Sequence, residues 1–229
     1  MIILFCYDFP HKKTQDYIYR LLTENIIIDC VIAAPFISIS KPNSLIRTKM
    51  KHISLIHPKD ICQRFNIPYY VIKHNSNECI EKIKFYQGKI GLISGARILD
   101  RLVIQAFCKG IINIHPGILP QNRGLDTLKW AIIENLPIGV TSHLIDENID
   151  EGKLIIREEI SLYKDDTILD INLRLEELQL NILGKSIQIV KENNRFESLS
   201  SNYPNRGIMP KELEKDVLRK LSNRLSKLI

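Results

Sequence analysis

The sequence Ile112-Asn113-Ile114-His115-Pro116-Gly117 places two polar side chains, one residue apart, at the end of an apolar run. If residues 110–115 form a β-strand, Asn113 and His115 point to the same face of the sheet, because side chains alternate along a strand. A carboxamide beside an imidazole can stabilise a developing oxyanion and move a proton. A carboxylate that returns to the same place, such as Asp150, would orient the imidazole. Asn113, His115 and Asp150 are therefore the candidate catalytic residues.

Strand-like and helix-like segments alternate around this run. Short apolar runs predict buried strands at residues 2–7, 26–34, 69–72, 89–94 and 110–115. Helical spacing or composition predicts helices between them, at residues 14–23, 58–65, 75–86 and 99–107. This alternation predicts an α/β fold with a doubly wound, mostly parallel sheet. Such sheets bind ligands beyond the C-terminal ends of their strands, where Asn113 and His115 would lie.

The pattern changes in the second half of the chain. After a helix at 125–135, two extended segments at 138–145 and 153–160 flank an acidic turn, which predicts a hairpin-like strand pair. One long amphipathic helix is predicted over 167–192, with Asp165 or Asp166 near its cap, and Pro210 opens a final charged helix. We expect a catalytic domain at residues 1–193 and a C-terminal extension with a terminal helix at 194–229.

The composition is that of a globular protein. The 229 residues are 45% hydrophobic and 25% charged, and no apolar run approaches the length that spans a bilayer. The five cysteines form no CxxC pair, which favours reduced thiols in the cytoplasm and predicts no metal site. The net charge of +6 suits an anionic partner, but no nucleic-acid-binding motif accompanies it.

Five short motifs together resemble the core of a known enzyme superfamily. They are Ala96-Arg97-Ile98-Leu99, Asn113-Ile114-His115-Pro116, Leu119-Pro120, Thr141-x-His143 and Ile149-Asp150-x-Gly152. With them, residues 91–160 resemble the folate-dependent formyltransferases, a superfamily that includes glycinamide ribonucleotide, methionyl-tRNA and sugar N-formyltransferases.

The resemblance implies an enzyme that uses N10-formyltetrahydrofolate as co-substrate and needs no metal. Asn113, His115 and Asp150 would be its catalytic triad, with both Asn113 and His115 donating hydrogen bonds to the oxyanion. The pterin cleft would be lined on one side by Arg97, Ile98 and Leu99, partly through their backbone groups. Its other wall would be the backbone of residues 146–150, which includes Asp146, Glu147 and Ile149.

The acceptor is inferred by exclusion. The family's glycinamide ribonucleotide enzymes resemble one another in a Gly-rich phosphate loop after the first strand, but residues 7–14 contain no glycine. The residues after Ile160 are too few for the barrel of the methionyl-tRNA enzymes. We therefore expect a small-molecule primary amine, on a nucleotide-linked amino sugar, as acceptor.

Two alternatives remain open: a phosphoribosylglycinamide formyltransferase of purine synthesis, and a non-catalytic folate-binding protein. Neither a membrane nor a nucleic acid is expected as partner, the expected location is the cytoplasm, and a homodimer is compatible with the sequence.

Overall fold

The structure is a computed structural model that describes residues 1–38, 43–52, 54–148, 150–199 and 202–228. Within these residues the centre of the molecule is a seven-stranded sheet with the order β3-β2-β1-β4-β5-β7-β8. A separate pair, β6 and β9, lies outside this sheet. The strands are β1 (Ile2–Tyr7), β2 (Cys30–Ala34), β3 (Tyr69–Val71), β4 (Ile90–Ile93), β5 (Ile111–His115), β6 (Arg123–Gly124), β7 (Gly139–Leu144), β8 (Lys153–Glu159) and β9 (Asn205–Arg206).

The helices cover the sheet and confirm the predicted α/β class. Strands β1 to β5 are parallel, and β7 and β8 add an antiparallel hairpin beside β5. The helices are α1 (Lys12–Thr23), α2 (Pro58–Arg64), α3 (Asn77–Phe85), α4 (Arg101–Gln105), α5 (Thr127–Ile133), α6 (Ile168–Asn181), α7 (Leu183–Glu192), α8 (Lys211–Glu214) and α9 (Val217–Leu225).

Burial on both faces explains the continuous apolar runs of the parallel strands. The side chains of β1 from Ile2 to Cys6 are all buried, as are those of β2 from Cys30 to Ala33. Strands with helices on both sides read as unbroken hydrophobic segments, because neither face meets water. In β5 the same pattern is interrupted only by half-buried Asn113, which stands opposite His143 of β7.

Some predicted elements differ from the structure in their bounds. The helix predicted over 167–192 is two helices, interrupted at Ile182, where the Ser186 hydroxyl donates a hydrogen bond to the Ile182 carbonyl. Such a bond from serine to the carbonyl four residues earlier bends helices. Thr167 caps α6, and Asp165 and Asp166 precede it, near the cap as predicted. Strand β2 is shorter than predicted and begins at Cys30.

The C-terminal residues return to the rest of the molecule. Strand β9 pairs in parallel with β6, and α9 packs against α5. Val217, Leu221 and Leu225 of α9 are buried in the same hydrophobic cluster as β1 and β5. The domain boundary near residue 193 stays a prediction. No helix among the described residues is both long and apolar enough to cross a membrane.

Candidate active site

A large cavity opens at the C-terminal edge of the parallel strands. Its volume is about 1090 Å³, and Asn113, His115 and Asp150 all contribute to its lining. Helices α1, α5 and α6 supply other walls, together with residues 48–52 and the segment that contains β9. The structure thus brings together the three residues that the sequence identified as candidates, where an open parallel sheet binds its ligands.

The His115 imidazole is buried and held at both nitrogens. Its Nε2 donates a hydrogen bond of 2.8 Å to the backbone carbonyl of Asn122, and its Nδ1 lies 3.3 Å from Oδ1 of Asp150. A carbonyl and a carboxylate are both acceptors, so the ring makes both hydrogen bonds only when both nitrogens carry protons. The geometry therefore suits an imidazolium that is paired with a carboxylate.

Asp150 lies in the turn between β7 and β8 and is held there by its side chain. Oδ2 accepts a hydrogen bond of 2.8 Å from the backbone N–H of Gly124. Burial alone would raise the pKa of Asp150, but the His115 imidazole and the Gly124 N–H together hold that pKa below its usual value. The next residue, Glu151, forms an ion pair of 2.8 Å with Arg123, so β6 fixes this turn twice.

Asn113 is oriented by His143, which the sequence identified only as part of a motif. Nδ2 of Asn113 donates to Nε2 of His143 over 3.2 Å, and Nδ1 of His143 donates to the carbonyl of Glu151 over 2.8 Å. Burial, followed by the nearby His115, lowers the pKa of His143 to about 4. The ring is therefore neutral near pH 7, with one donor and one acceptor. The second N–H of the Asn113 amide remains for a ligand.

A tight turn after β5 packs closely against the His115 ring. A Cβ added to Gly117 would stand 2.8 Å from Nε2 of His115 and 2.8 Å from the Asn122 carbonyl oxygen. The hydroxyl of Thr141 donates to the Gly117 carbonyl and accepts from the Leu119 N–H. The turn is thereby fastened to β7, and only glycine leaves room for the imidazole.

The residues predicted to line a pterin cleft do not all line the cavity. Arg97 and the exposed Ile98 are part of the lining, but the Leu99 side chain is buried in a hydrophobic cluster with Val103 and Phe107. Asp146 and Glu147 lie outside the lining, and Ile149 lies outside the described residues. Leu99 follows this exposed pair, just before α4, and packs into the hydrophobic cluster. From the sequence alone, an apolar residue at this position could either pack in the core or contact a ligand.

Two parts of the cavity wall were not identified as site residues from the sequence. Lys13 of α1 reaches the cavity and donates a hydrogen bond of 2.9 Å to the Ile114 carbonyl. Residues 205–207 also line the cavity, because β9 pairs with β6. A two-residue strand carries no periodic signal, so nothing in the sequence pointed to this pairing. Within the described residues, no cluster of His, Cys, Asp and Glu could hold a metal ion.

Comparison with known proteins identifies the family. A family model described as formyl transferase matches residues 29–187. The chain belongs to the formyl transferase family. The matched region contains Asn113, His115 and Asp150, whereas β1, Lys13 and the segment around β9 lie outside it.

Relatives of this formyl transferase differ in the acceptor that their names give. The chain is 28% identical over 172 residues to a methionyl-tRNA formyltransferase of Fusobacterium nucleatum, a match that covers 74% of this chain and 54% of that protein. It is 29% identical over 146 residues to a phosphoribosylglycinamide formyltransferase of Bacillus subtilis, covering 59% and 75%. The matches to the methionyl-tRNA enzymes just named and to two similar ones span about half the length of each relative.

Solved structures share the fold at lower identity. A sugar N-formyltransferase from a Shewanella species superposes with a TM-score of 0.65 at 20% identity, covering 91% of this chain and 77% of that one. A phosphoribosylglycinamide formyltransferase from Anaplasma phagocytophilum gives a TM-score of 0.66 at 16% identity, covering 89% and 96%. These similarities place the chain in the formyltransferase fold.

Proposed function

We propose that the chain transfers a formyl group from N10-formyltetrahydrofolate to a primary amine. The observation that carries the proposal is the convergence of Asn113, His115 and Asp150 on one cavity, with a 3.3 Å contact between His115 and Asp150. An oriented amide donor beside a paired imidazolium is an arrangement that stabilises negative charge on an oxygen during acyl transfer. Membership of the formyl transferase family supports this reaction class.

The cavity fits a reduced folate. Ile98 and Leu125 are 63% and 57% exposed, and both line the cavity, so a flat ring bound there would cover apolar surface that water now contacts. Arg97 lies beside Ile98 and would hold a polar edge of the ligand. When bound, the folate supplies the formyl group that the acceptor receives.

The chain's own residues have separable roles in this proposal. The free N–H of the Asn113 amide donates to the formyl oxygen, in an orientation that His143 sets. Asp150 holds the buried His115 imidazole beside that oxygen. Loss of one such donor lowers the rate by about 10²–10³-fold in comparable acyl-transfer sites.

For the acceptor we propose a nucleotide-linked amino sugar. Lysine and arginine side chains outnumber carboxylates in the cavity lining, which suits an acceptor that carries phosphate groups. The loop after β1 is a poor phosphate site: Asp8 places a carboxylate there, hydrogen-bonded to the Tyr69 hydroxyl, and Phe9 stacks on Tyr7. A ribonucleotide phosphate would therefore not bind here as it does in a glycine-rich loop, whose backbone N–H groups surround the phosphate.

A comparison of kcat/KM across acceptors at fixed folate tests the proposal. An amino-sugar nucleotide should exceed phosphoribosylglycinamide and initiator methionyl-tRNA by about tenfold, or about 1.4 kcal/mol of transition-state stabilisation. Phosphoribosylglycinamide is the competing acceptor, because the match to the Bacillus subtilis enzyme covers 75% of that protein. If it leads, the acceptor assignment is wrong. Stoichiometric folate binding without turnover on any acceptor would instead indicate a binding protein.

A further inference from the structure

Lys13 stands beside the catalytic residues. It lies in the first turn of α1, and its Nζ donates to the carbonyl of Ile114, the residue between Asn113 and His115. The same nitrogen lies 5.2 Å from the centre of the Tyr17 ring. Lys13 is half-buried as a residue and lines the cavity.

The surroundings of Lys13 favour a neutral amine. Among the described residues no carboxylate forms an ion pair with it, whereas its neighbour Lys12 pairs with Asp16. Burial, together with the positive charge of Lys49, lowers the pKa of Lys13 to about 7, and Asp150 opposes this shift. The other ionisable residues that line the cavity are His11, Lys12, Asp16, Tyr17, Lys49, His52, Arg97, His115, Asp126, Lys129, Asp150, Glu176 and Arg206.

The catalytic triad offers no ready acceptor for a proton. Both nitrogens of His115 face acceptors, the Asn122 carbonyl and the Asp150 carboxylate, and the lone pair of His143 receives the Asn113 amide. Asp150 has a lowered pKa, which makes it a weak base. A primary amine is nucleophilic only when neutral, so an acceptor that arrives as an ammonium ion must lose a proton inside the cavity.

We propose that the Lys13 amine is the base that takes this proton from the acceptor. The inference rests on the proposed formyl transfer. In its neutral form Lys13 donates one N–H to the Ile114 carbonyl and keeps a lone pair for the cavity. This hydrogen bond holds Nζ of Lys13 at the backbone of Ile114, the residue between Asn113 and His115.

Protons and electrons balance in this formyl transfer. An N–H bond of the acceptor ammonium breaks, and an N–H bond forms at Nζ of Lys13. The freed electron pair forms the new bond to the formyl carbon while the bond from that carbon to the donor nitrogen breaks. A second proton passes from the acceptor nitrogen to the donor nitrogen, and Lys13 returns its proton to water.

Two substitutions separate base catalysis from the other possible roles of this side chain. Lys13→Arg keeps the charge but cannot accept a proton near neutral pH. Lys13→Gln keeps an N–H donor for the Ile114 carbonyl and has no basic nitrogen. Each variant should lose about 10²-fold in kcat at pH 7, with less than about a threefold change in acceptor KM. Their kcat should rise with pH as solvent deprotonates the acceptor, whereas wild-type kcat should level off above about pH 7. The exposed Lys84→Gln is the matched control.

Three results would overturn the inference. A kcat of Lys13→Arg close to that of wild type would mean that only the charge of Lys13 matters. A kcat of Lys13→Gln close to wild type would mean that only its hydrogen bond matters, and a rise in acceptor KM at constant kcat would mean that Lys13 binds an anion. Rescue of Lys13→Ala by added ethylamine would support it.

If no acceptor is formylated, the proposed function is refuted. The basicity of Lys13 can still be tested by a measurement that needs no turnover. Trace acetic anhydride at pH 7 should then acetylate Lys13 faster than Lys84, because only the neutral amine reacts. Slower labelling of Lys13, read by peptide mass spectrometry, would overturn the inference independently.

Discussion

Replacing Gly117 with alanine should dislodge the His115 imidazole. The added Cβ would stand 2.8 Å from Nε2 of His115, 2.8 Å from the Asn122 carbonyl oxygen and 3.1 Å from Cδ2 of His115. Non-bonded carbon atoms normally stay about 3.5 Å or more apart, so the methyl group overlaps both ends of the His115–Asn122 hydrogen bond. Asn122 is tied down by its Nδ2 hydrogen bond to the Thr127 carbonyl, which leaves the imidazole as the part that must move.

The expected losses follow from that displacement. Overpacking of this kind costs about 1–3 kcal/mol, and each kcal/mol lowers Tm by roughly 2–4 °C in a chain of this size. A His115 ring that no longer faces Asp150 should lower kcat/KM by about 10²-fold, comparable to the removal of one oxyanion donor. Thermal melts and formyl transfer to the preferred acceptor would measure the two effects on the same preparation.

The control is Gly207→Ala, because a Cβ at Gly207 meets no heavy atom within 4 Å, and its Tm should match wild type. A Gly117→Ala protein with wild-type Tm and wild-type kcat/KM would refute the reasoning, since it would mean that the turn accommodates the methyl group without moving His115.

Three further substitutions address other parts of the site. His143→Phe should make the free energy of unfolding less dependent on pH below about pH 6.5. Burial lowers the His143 pKa to about 4 in the folded protein, so the unfolded chain takes up a proton at higher pH than the folded one. The wild-type free energy of unfolding, measured by urea titration, should therefore fall as the pH drops from about 6.5 to 4. Asp150→Asn should lower kcat by about 10²-fold or more, because His115 loses its carboxylate partner. Ile98→Glu should leave the ligand-free Tm unchanged, since the Ile98 side chain is 63% exposed, but should reduce the upward Tm shift produced by 5-formyltetrahydrofolate.

The sequence was sufficient to predict the sheet and the meeting of the triad. Apolar runs separated by helical segments predicted five parallel strands, and the bounds of β1 agree with the structure. Asp150 approaches His115 as predicted, but strand order does not explain this contact. Strand β7 ends beside Ile112, near the start of β5, so the turn after it folds back to bring Asp150 to His115. The strand predictions use only alternation and burial, which local sequence records.

Contacts between distant segments were not predictable in the same way. The β6–β9 pair joins residues about eighty positions apart through two residues on each side, which leaves no periodic pattern. Nothing in the sequence separates Lys13 from its neighbour Lys12, and only the folded structure shows that Lys13 donates to the Ile114 carbonyl whereas Lys12 pairs with Asp16. Leu99 carried the right motif, but the packing of α4 buried its side chain.

One turn positions all three catalytic candidates, through two adjacent residues. The Asp150 side chain contacts His115, while the backbone carbonyl of Glu151 accepts from His143, whose other nitrogen then accepts from Asn113. Burial, followed by the nearby His115, lowers the pKa of His143 to about 4, and the neutral ring then accepts from the Asn113 amide.

The same turn is held by β6, and β6 pairs with a strand outside the family's matched region. Gly124 of β6 donates to Asp150, and Arg123 of β6 pairs with Glu151. Strand β6 is in turn paired with β9, whose residues follow the part of the chain that the family model covers. The C-terminal segment therefore both lines the cavity and supports the strand on which the triad geometry depends. Substitutions near residue 206 should alter the catalytic rate as well as the binding of the acceptor, because the two functions share one backbone contact.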